Sequence, residues 1–453
     1  PAARTGKMRN KPNRSRASRV FVAMLLGGFL LAPPMLAGYP LDGEEESGIR
    51  RLQGYLNAQA LSAPLPPGAT LTRADIHLNL FGHQTTEFDE SGADEQLQMG
   101  LEKLLRHRDP SYSAVVIDFT DPDDVRWGAV RPGLRQNPGS VGKLLCMLAL
   151  FDGLARAFPD PADRARVLRD AQIYAGDWVI GDTHDVPHYD PATGRNRFSV
   201  IKPDETFRLS EWIDHMISPS ANAAAAVVWR EAMLLREFGG RYPLSRDESE
   251  AFFSQTPPAQ LRELAQAVIS EPLQNAGLDP GSLRQGSFWT SVSKRKVPAG
   301  GGSLASPQEL ARFLYRLEEG RLVDGWSSLQ MKRFLYMTKR RYRYAYAPEL
   351  NHAAVYFKSG SLYKCKPEED FVCRKYHGNV YNIMNSVAII ESPAGAGHER
   401  RYIVVLTSNV LRKNSAWDHS RVAAAIEELV QTGAYAALKE KGSQTEISAS
   451  EQG

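Results

Sequence analysis

Three short clusters in this 453-residue chain carry side chains suited to nucleophilic chemistry. They are Ser140-Val141-Gly142-Lys143, Ser220-Ala221-Asn222 and Lys358-Ser359-Gly360. A serine hydroxyl is a weak nucleophile until a neighbouring base takes its proton, and its attack on a carbonyl needs donors aimed at the developing oxyanion. The i, i+3 spacing of Ser140 and Lys143 puts hydroxyl and amine on one face of a helix. The S-x-x-K pattern alone says little, because it recurs at Ser291-Val292-Ser293-Lys294 and Ser361-Leu362-Tyr363-Lys364. Only Ser140 follows a Pro-Gly turn and opens an apolar run, which predicts a helix from 140 to about 158. The N-terminus of that helix would offer unpaired N–H groups and partial positive charge beside the hydroxyl.

These clusters must be positioned by the elements around them. Leu97, Leu101, Leu104 and Leu105 share one face of a helix near 94–107. The runs 114–119 and 125–130, joined by Asp121-Pro122-Asp123-Asp124, read as a hairpin. Helical periods follow over 209–217 and 223–238, hinged at Ser218-Pro219-Ser220, then over 257–278 and 307–319. Strand patterns return at 353–363, 381–392 and 401–408, before a last helix at about 416–438. Strands at both ends of a chain with helices between them must meet in one sheet. The fold class is therefore α/β (α+β): a five-stranded antiparallel sheet flanked by helices, plus a mainly helical lobe.

On these residues the chain resembles the penicillin-recognising serine enzymes, the superfamily of serine β-lactamases and penicillin-binding D,D-peptidases. Their motifs S-x-x-K, S-x-N and K-[ST]-G occur in this order. The resemblance runs from about Asp94 to Leu438, is nearest in layout to class A β-lactamases, and implies a β-lactamase/transpeptidase-like fold. It makes Ser140 the acylated nucleophile and Lys143 its partner and base, with Ser220 passing a proton to the leaving nitrogen and bridging to Lys358. Asn222 would hold the substrate amide, and Lys358, Ser359, Gly360 and Ser361 the substrate, with the N–H groups of Ser140 and Ser361 as the oxyanion hole. The implied substrate is a small-molecule β-lactam or a peptidoglycan-type peptide, and no cofactor is implied. A D,D-carboxypeptidase or endopeptidase, an esterase, and a catalytically inactive cell-wall peptide-binding module are the alternatives. Class A enzymes place a deacylating Glu in an E-P-x-L-N context; Glu271-Pro272-Leu273-Gln274-Asn275 matches it in part. Against Glu271, the helical period of 257–278 runs through it and leaves a loop at 279–302 that contains no Glu.

Formal charge is +3, but seven basic residues and no acid lie in the first 19, so the remaining chain is net acidic. Charge therefore gives no argument for nucleic acid as a partner. The basic segment leads into uncharged residues 20–38, so 1–38 reads as a signal peptide or an N-terminal membrane anchor, placing the catalytic part outside the cytoplasm. Residues 39–93 read as a linker and N-terminal extension, with linker composition over 39–68, residues 94–438 as the catalytic domain, and 439–453 as a disordered tail. Residues 159–206 read as a polar surface insertion with some helix near 162–172. Within it His184 and His188 have metal-ligand types, but Pro187 breaks the helix such a pair needs, so a loop with Trp178 and Tyr189 near the cleft entrance is expected and no metal. Lys332, Arg333, Lys339, Arg340, Arg341 and Arg343, interleaved with tyrosines, read as a solvated basic face, with attraction of anionic polymer or headgroups as the sharper alternative. Cys365 and Cys373, eight residues apart, could close a disulfide in an oxidising compartment, while Cys146 fits a buried helix.

Overall fold

The computed structural model describes residues 42–60, 65–83, 92–298, 300–338 and 341–432. Residues 1–38, which the sequence reads as a signal peptide or membrane anchor, and residues 439–453 lie outside them, and no helix among the described residues is long and apolar enough to cross a membrane. In chain order the helices are α1 (Gly43–Ser47), α2 (Arg51–Gln59), α3 (Glu95–Leu105), α4 (Lys143–Ala157), α5 (Pro161–Asp170), α6 (Leu209–Ile217), α7 (Asn222–Phe238), α8 (Arg246–Gln255), α9 (Pro258–Asn275), α10 (Ser291–Lys296), α11 (Pro307–Glu318), α12 (Gly325–Tyr336) and α13 (Ala416–Thr432). The strands are β1 (Ser113–Asp118), β2 (Arg126–Val130), β3 (Gln172–Tyr174), β4 (Asp185–Asp190), β5 (Arg195–Val200), β6 (Thr206–Arg208), β7 (Leu283–Arg284), β8 (Leu304–Ala305), β9 (Ala354–Lys364), β10 (Tyr381–Ser392) and β11 (Arg400–Asn409).

The main sheet is antiparallel throughout, in the order β2-β1-β11-β10-β9, as the strand pattern predicts. Ser113 pairs with Thr407, Val387 with Val405, and Lys358 with Val387. Successive side chains alternate between faces, so these strands are apolar on both. Val115, Ile117, Tyr356, Val387, Ile389, Ile403 and Val405 join the core of the helical lobe. Ala114, Val116, Phe357, Ala388, Ile390, Val404 and Leu406 face a second core with Leu97 and Leu101 of α3 and Val422 and Ile426 of α13. The same alternation turns Lys358, two residues after Tyr356, toward the helical lobe. Helix α4 is buried on all sides, from Leu144 to Phe151, as expected of a helix apolar all round. Side-chain caps set several starts, including Asp94 Oδ1 accepting from Leu97 N at 2.8 Å and Ser306 Oγ accepting from Glu309 N at 3.2 Å.

Three readings of the sequence are corrected. Residues 42–60, read as part of a linker, are packed structure, as is the extension 65–83: Ile49, Leu52, Ile76 and Leu80 are buried in the main core, and Arg51 is locked to Asp214 of α6 by Nε and Nη2 at 2.5 Å. These short elements bury isolated apolar residues and an ion pair, which leaves no periodic pattern to read. The insertion 159–206 carries the expected helix as α5, but much of the rest is the strand pairs β3–β6 and β4–β5 rather than a loop, and Trp178 is a core residue against Phe253 and Phe288. The basic run is not a solvated face. Lys332 on α12 is fully buried between Glu318 at 2.6 Å and Glu391 at 2.8 Å, and Arg341 Nη2 donates to the carbonyls of Tyr336 and Val355. Lys339 and Arg340 lie outside the described residues. Cys365 and Cys373 form a disulfide, and Cys146 is buried and free.

Candidate active site

Ser140 lies on a 3₁₀ turn, Gly139–Gly142, that runs into α4. In a 3₁₀ turn residues i and i+3 eclipse, which sets Lys143 directly over Ser140. The turn is tied to the sheet: Asn385 of β10 donates from Nδ2 to Asn137 O at 3.0 Å, and Asn137 Oδ1 accepts from Gly139 N at 2.8 Å. Strand β9 meets it backbone to backbone. A Cβ at Gly360 would sit 2.1 Å from Pro138 O and 2.8 Å from Ser140 N, and one at Gly139 would sit 2.9 Å from Ser361 N. Glycine at both places brings the N–H groups of Ser140 and Ser361 together, as an oxyanion site requires.

Lys143 is fully buried. Its Nζ lies 3.2 Å from Ser140 Oγ, 2.6 Å from Ser220 O, 3.4 Å from Ser220 Oγ and 2.9 Å from Asn222 Oδ1. Ser220 sits in the hinge between α6 and α7 at φ 65°, and Ala221 N donates to His215 O at 3.0 Å to close the bend. From the other side Lys358 Nζ donates to Ser220 Oγ at 2.8 Å and to Ser359 O at 3.1 Å. The three sequence clusters therefore meet in one chain of contacts, Ser140, Lys143, Ser220, Lys358. Ser140, Ser220, Lys358, Ser359, Gly360 and Ser361 line one cleft.

Glu271 does not line this cleft. The helical period of 257–278 holds through Pro272, which leaves Glu271 on α9 with its Oε2 2.5 Å from Arg236 Nη2 and 4.0 Å from Arg156 Nη2.

Among the lining residues that the motifs did not single out are His184, Tyr342, Arg343 and Tyr376. Arg343 donates from Nη1 to Gly360 O at 3.1 Å, and burial pulls its guanidinium below the usual value. His184, not Trp178 or Tyr189, is what the insertion brings to the cleft. Its Nδ1 lies 2.5 Å from Asp182 Oδ1. Asp182 Oδ2 accepts from Ala223 N at 2.8 Å and so supplies the cap that Ala221 cannot give α7. Burial works against the Asp182 charge, but hydrogen bonds from His184 and Ala223 N and the field of Lys143 outweigh it and hold the carboxyl below its usual range. No cluster of three or more metal-ligating side chains exists among the described residues. The histidines, aspartates and tyrosines of 182–190 and 342–376 were visible in the sequence, but nothing local to them signals that these segments reach Ser140.

No family model and no curated protein matches the chain. Among solved structures, it is similar to the β-lactamase of Sphaerobacter thermophilus, at 16% identity over 76% of this chain and 98% of that one, TM-score 0.46. It is similar also to PBP-A, at 15% identity over 76% of this chain and 97% of that one, TM-score 0.44. A third is a class A β-lactamase of Bacteroides cellulosilyticus, at 14% identity over 74% and 96%, TM-score 0.47.

Proposed function

We propose that the chain is an exported serine hydrolase of β-lactamase type, acting through an acyl-enzyme at Ser140 on a small amide with a nearby carboxylate. The observation that carries this reading is the contact chain from Ser140 Oγ through Lys143 Nζ and Ser220 Oγ to Lys358 Nζ, at 3.2, 3.4 and 2.8 Å. In acylation the neutral Lys143 amine takes the Ser140 proton as Oγ bonds to the substrate carbonyl carbon. The oxyanion is held by the N–H groups of Ser140 and Ser361. As the C–N bond breaks, the Ser220 hydroxyl gives its proton to the leaving nitrogen and is resupplied from Lys143. Lys358 and Ser359 receive the substrate carboxylate, with the Arg343 guanidinium in the same cleft. Two amines turned onto one hydroxyl favour this reading over an inactive binding module. Export rests on the basic and apolar segment 1–38.

A β-lactam and a D-Ala-D-Ala-type peptide both fit this description. Intact mass and gel fluorescence after incubation with a labelled penicillin test it. An adduct on the wild type that is lost in Ser140→Ala supports acyl-enzyme chemistry; rapid turnover then marks a β-lactamase and a persistent adduct a penicillin-binding peptidase. The absence of any adduct or turnover, with either the penicillin or the peptide, overturns the proposal.

A further inference from the structure

Release of an acyl group from Ser140 needs a second base, placed to take a proton from water rather than from the serine. Lys143 and Lys358 are both turned onto Ser220. None of the residues lining the cleft is Asp or Glu, and Glu271 is held by Arg236 on α9. An imidazole is the side chain whose unprotonated nitrogen is ordinarily available near neutral pH, and one histidine lines the cleft.

We propose that His184, oriented by Asp182, is the base that activates water to release the acyl group from Ser140; the inference rests on the acyl-enzyme reading above. With Nδ1–H donating to Asp182 Oδ1 at 2.5 Å, the ring is held in the tautomer whose Nε2 carries the lone pair. Asp182 is anchored in turn by Ala223 N, one residue beyond Asn222, which binds Lys143. The imidazole and the nucleophile's amine are thus referenced to the same first turn of α7. The His184 side chain is 29% exposed, so water reaches it without a rearrangement.

In the step, Nε2 takes a proton from water while the water oxygen bonds to the ester carbon. The tetrahedral oxyanion rests on the N–H groups of Ser140 and Ser361, and the bond from carbon to Ser140 Oγ breaks. Oγ takes the proton that His184 Nε2 accepted from water, Lys143 stays neutral, and the product acid leaves as a carboxylate with its own proton going to solvent. Ester and water become carboxylate, serine and one proton released to solvent.

The test follows a fluorescent penicillin adduct on the full chain, measuring its formation and, after removal of free label, its loss. His184→Gly is expected to form the adduct within about threefold of the wild-type rate and to lose it about a hundredfold more slowly, with added imidazole shortening its lifetime again. Asp182→Asn is expected to prolong the adduct too, and Asp182→Glu to restore release. Retained acylation separates this from a folding defect. An unchanged adduct lifetime in His184→Gly, a prolonged one that imidazole does not shorten, or a wild-type adduct that never releases overturns the assignment while leaving the acyl-enzyme intact. A wild type that forms no adduct at Ser140 overturns the acyl-enzyme reading, and this inference with it.

Discussion

The Ser220 hydroxyl oxygen accepts a hydrogen bond from Lys358 Nζ at 2.8 Å, across 138 residues of chain. One residue of the hinge between two helices thereby meets a residue of the edge strand β9. The contact joins the helical lobe to the sheet at the point where the reaction is proposed to occur.

Ser220→Ala removes the only hydroxyl in that link. Penicillin acylation of Ser140 is expected to fall about a hundredfold or more, with circular dichroism and melting temperature near wild type, since the backbone carbonyl of Ser220 still accepts from Lys143. Stopped-flow labelling reads the rate; a fall below fivefold would remove Ser220 from the proton path.

Gly360→Ala places a carbon 2.1 Å from Pro138 O, where neither backbone can yield without moving Ser140. Displacement of a reacting atom by about 1 Å costs roughly a hundredfold in rate, and overpacking adds about 1–3 kcal/mol of destabilisation. Labelling rate and urea unfolding should fall together.

Lys332→Met leaves Glu318 and Glu391 buried without their cation. Breaking a buried pair in this way costs about 3–5 kcal/mol, so urea unfolding should show a large loss. A loss under about 1 kcal/mol would mean that the two carboxyl groups are satisfied by other donors, of which Tyr356 and Asn79 are the nearest for Glu391.

Two buried histidines set the acid limit. Burial holds His215 well below its usual value, and burial with the nearby Arg343 and Arg108 lowers His419 to about 3. Both stay neutral in the folded state while an unfolded imidazole protonates near about 6.5. Below that pH the unfolded chain binds protons that the folded chain does not. Stability is therefore fully present above about pH 6.5 and is lost as pH falls toward 3, by up to about 1.4 kcal/mol per unit for each histidine. Urea titrations at pH 7 and 5 should show this loss, and His419→Gln should reduce it by about 2 kcal/mol.

Glu271→Gln should change neither acylation nor release of the label, because the side chain is spent on Arg236 at a half-exposed site worth about 1 kcal/mol or less. Slower release in this variant would reinstate it as the water-activating group.

Much of this arrangement was legible because it is written in local signals. The period of α3, the alternation of β1, β10 and β11, and the Pro-Gly turn before Ser140 each act over a few residues, and the three motifs meet where their order implied. Helix α12 escaped because Gly325, Ser327 and Ser328 dilute its apolar face, and Lys332 within it is buried by ion pairing rather than by period. The 3₁₀ turn at Ser140 is a matter of how Pro138 meets Gly360 from β9, a contact between residues more than 200 apart. His184 and Arg343 reach the cleft through the path of whole segments, which no window of residues contains.

The pairing of Ser113 with Thr407 also bears on when the chain becomes competent. Strand β1, made early, has no permanent neighbour on one side until β11 exists, and Lys358 on β9 is seated through β10, which pairs with that same late strand. Such long-range closure folds slowly, because chain entropy is lost before the contacts that repay it form. Helix α4 can therefore be complete while the Ser361 N–H and Lys358, which the proposed chemistry needs beside Ser140, are still missing. Reactivity toward an acylating probe would be one of the last properties the folding chain acquires, making the adduct a reporter of closure as well as of chemistry.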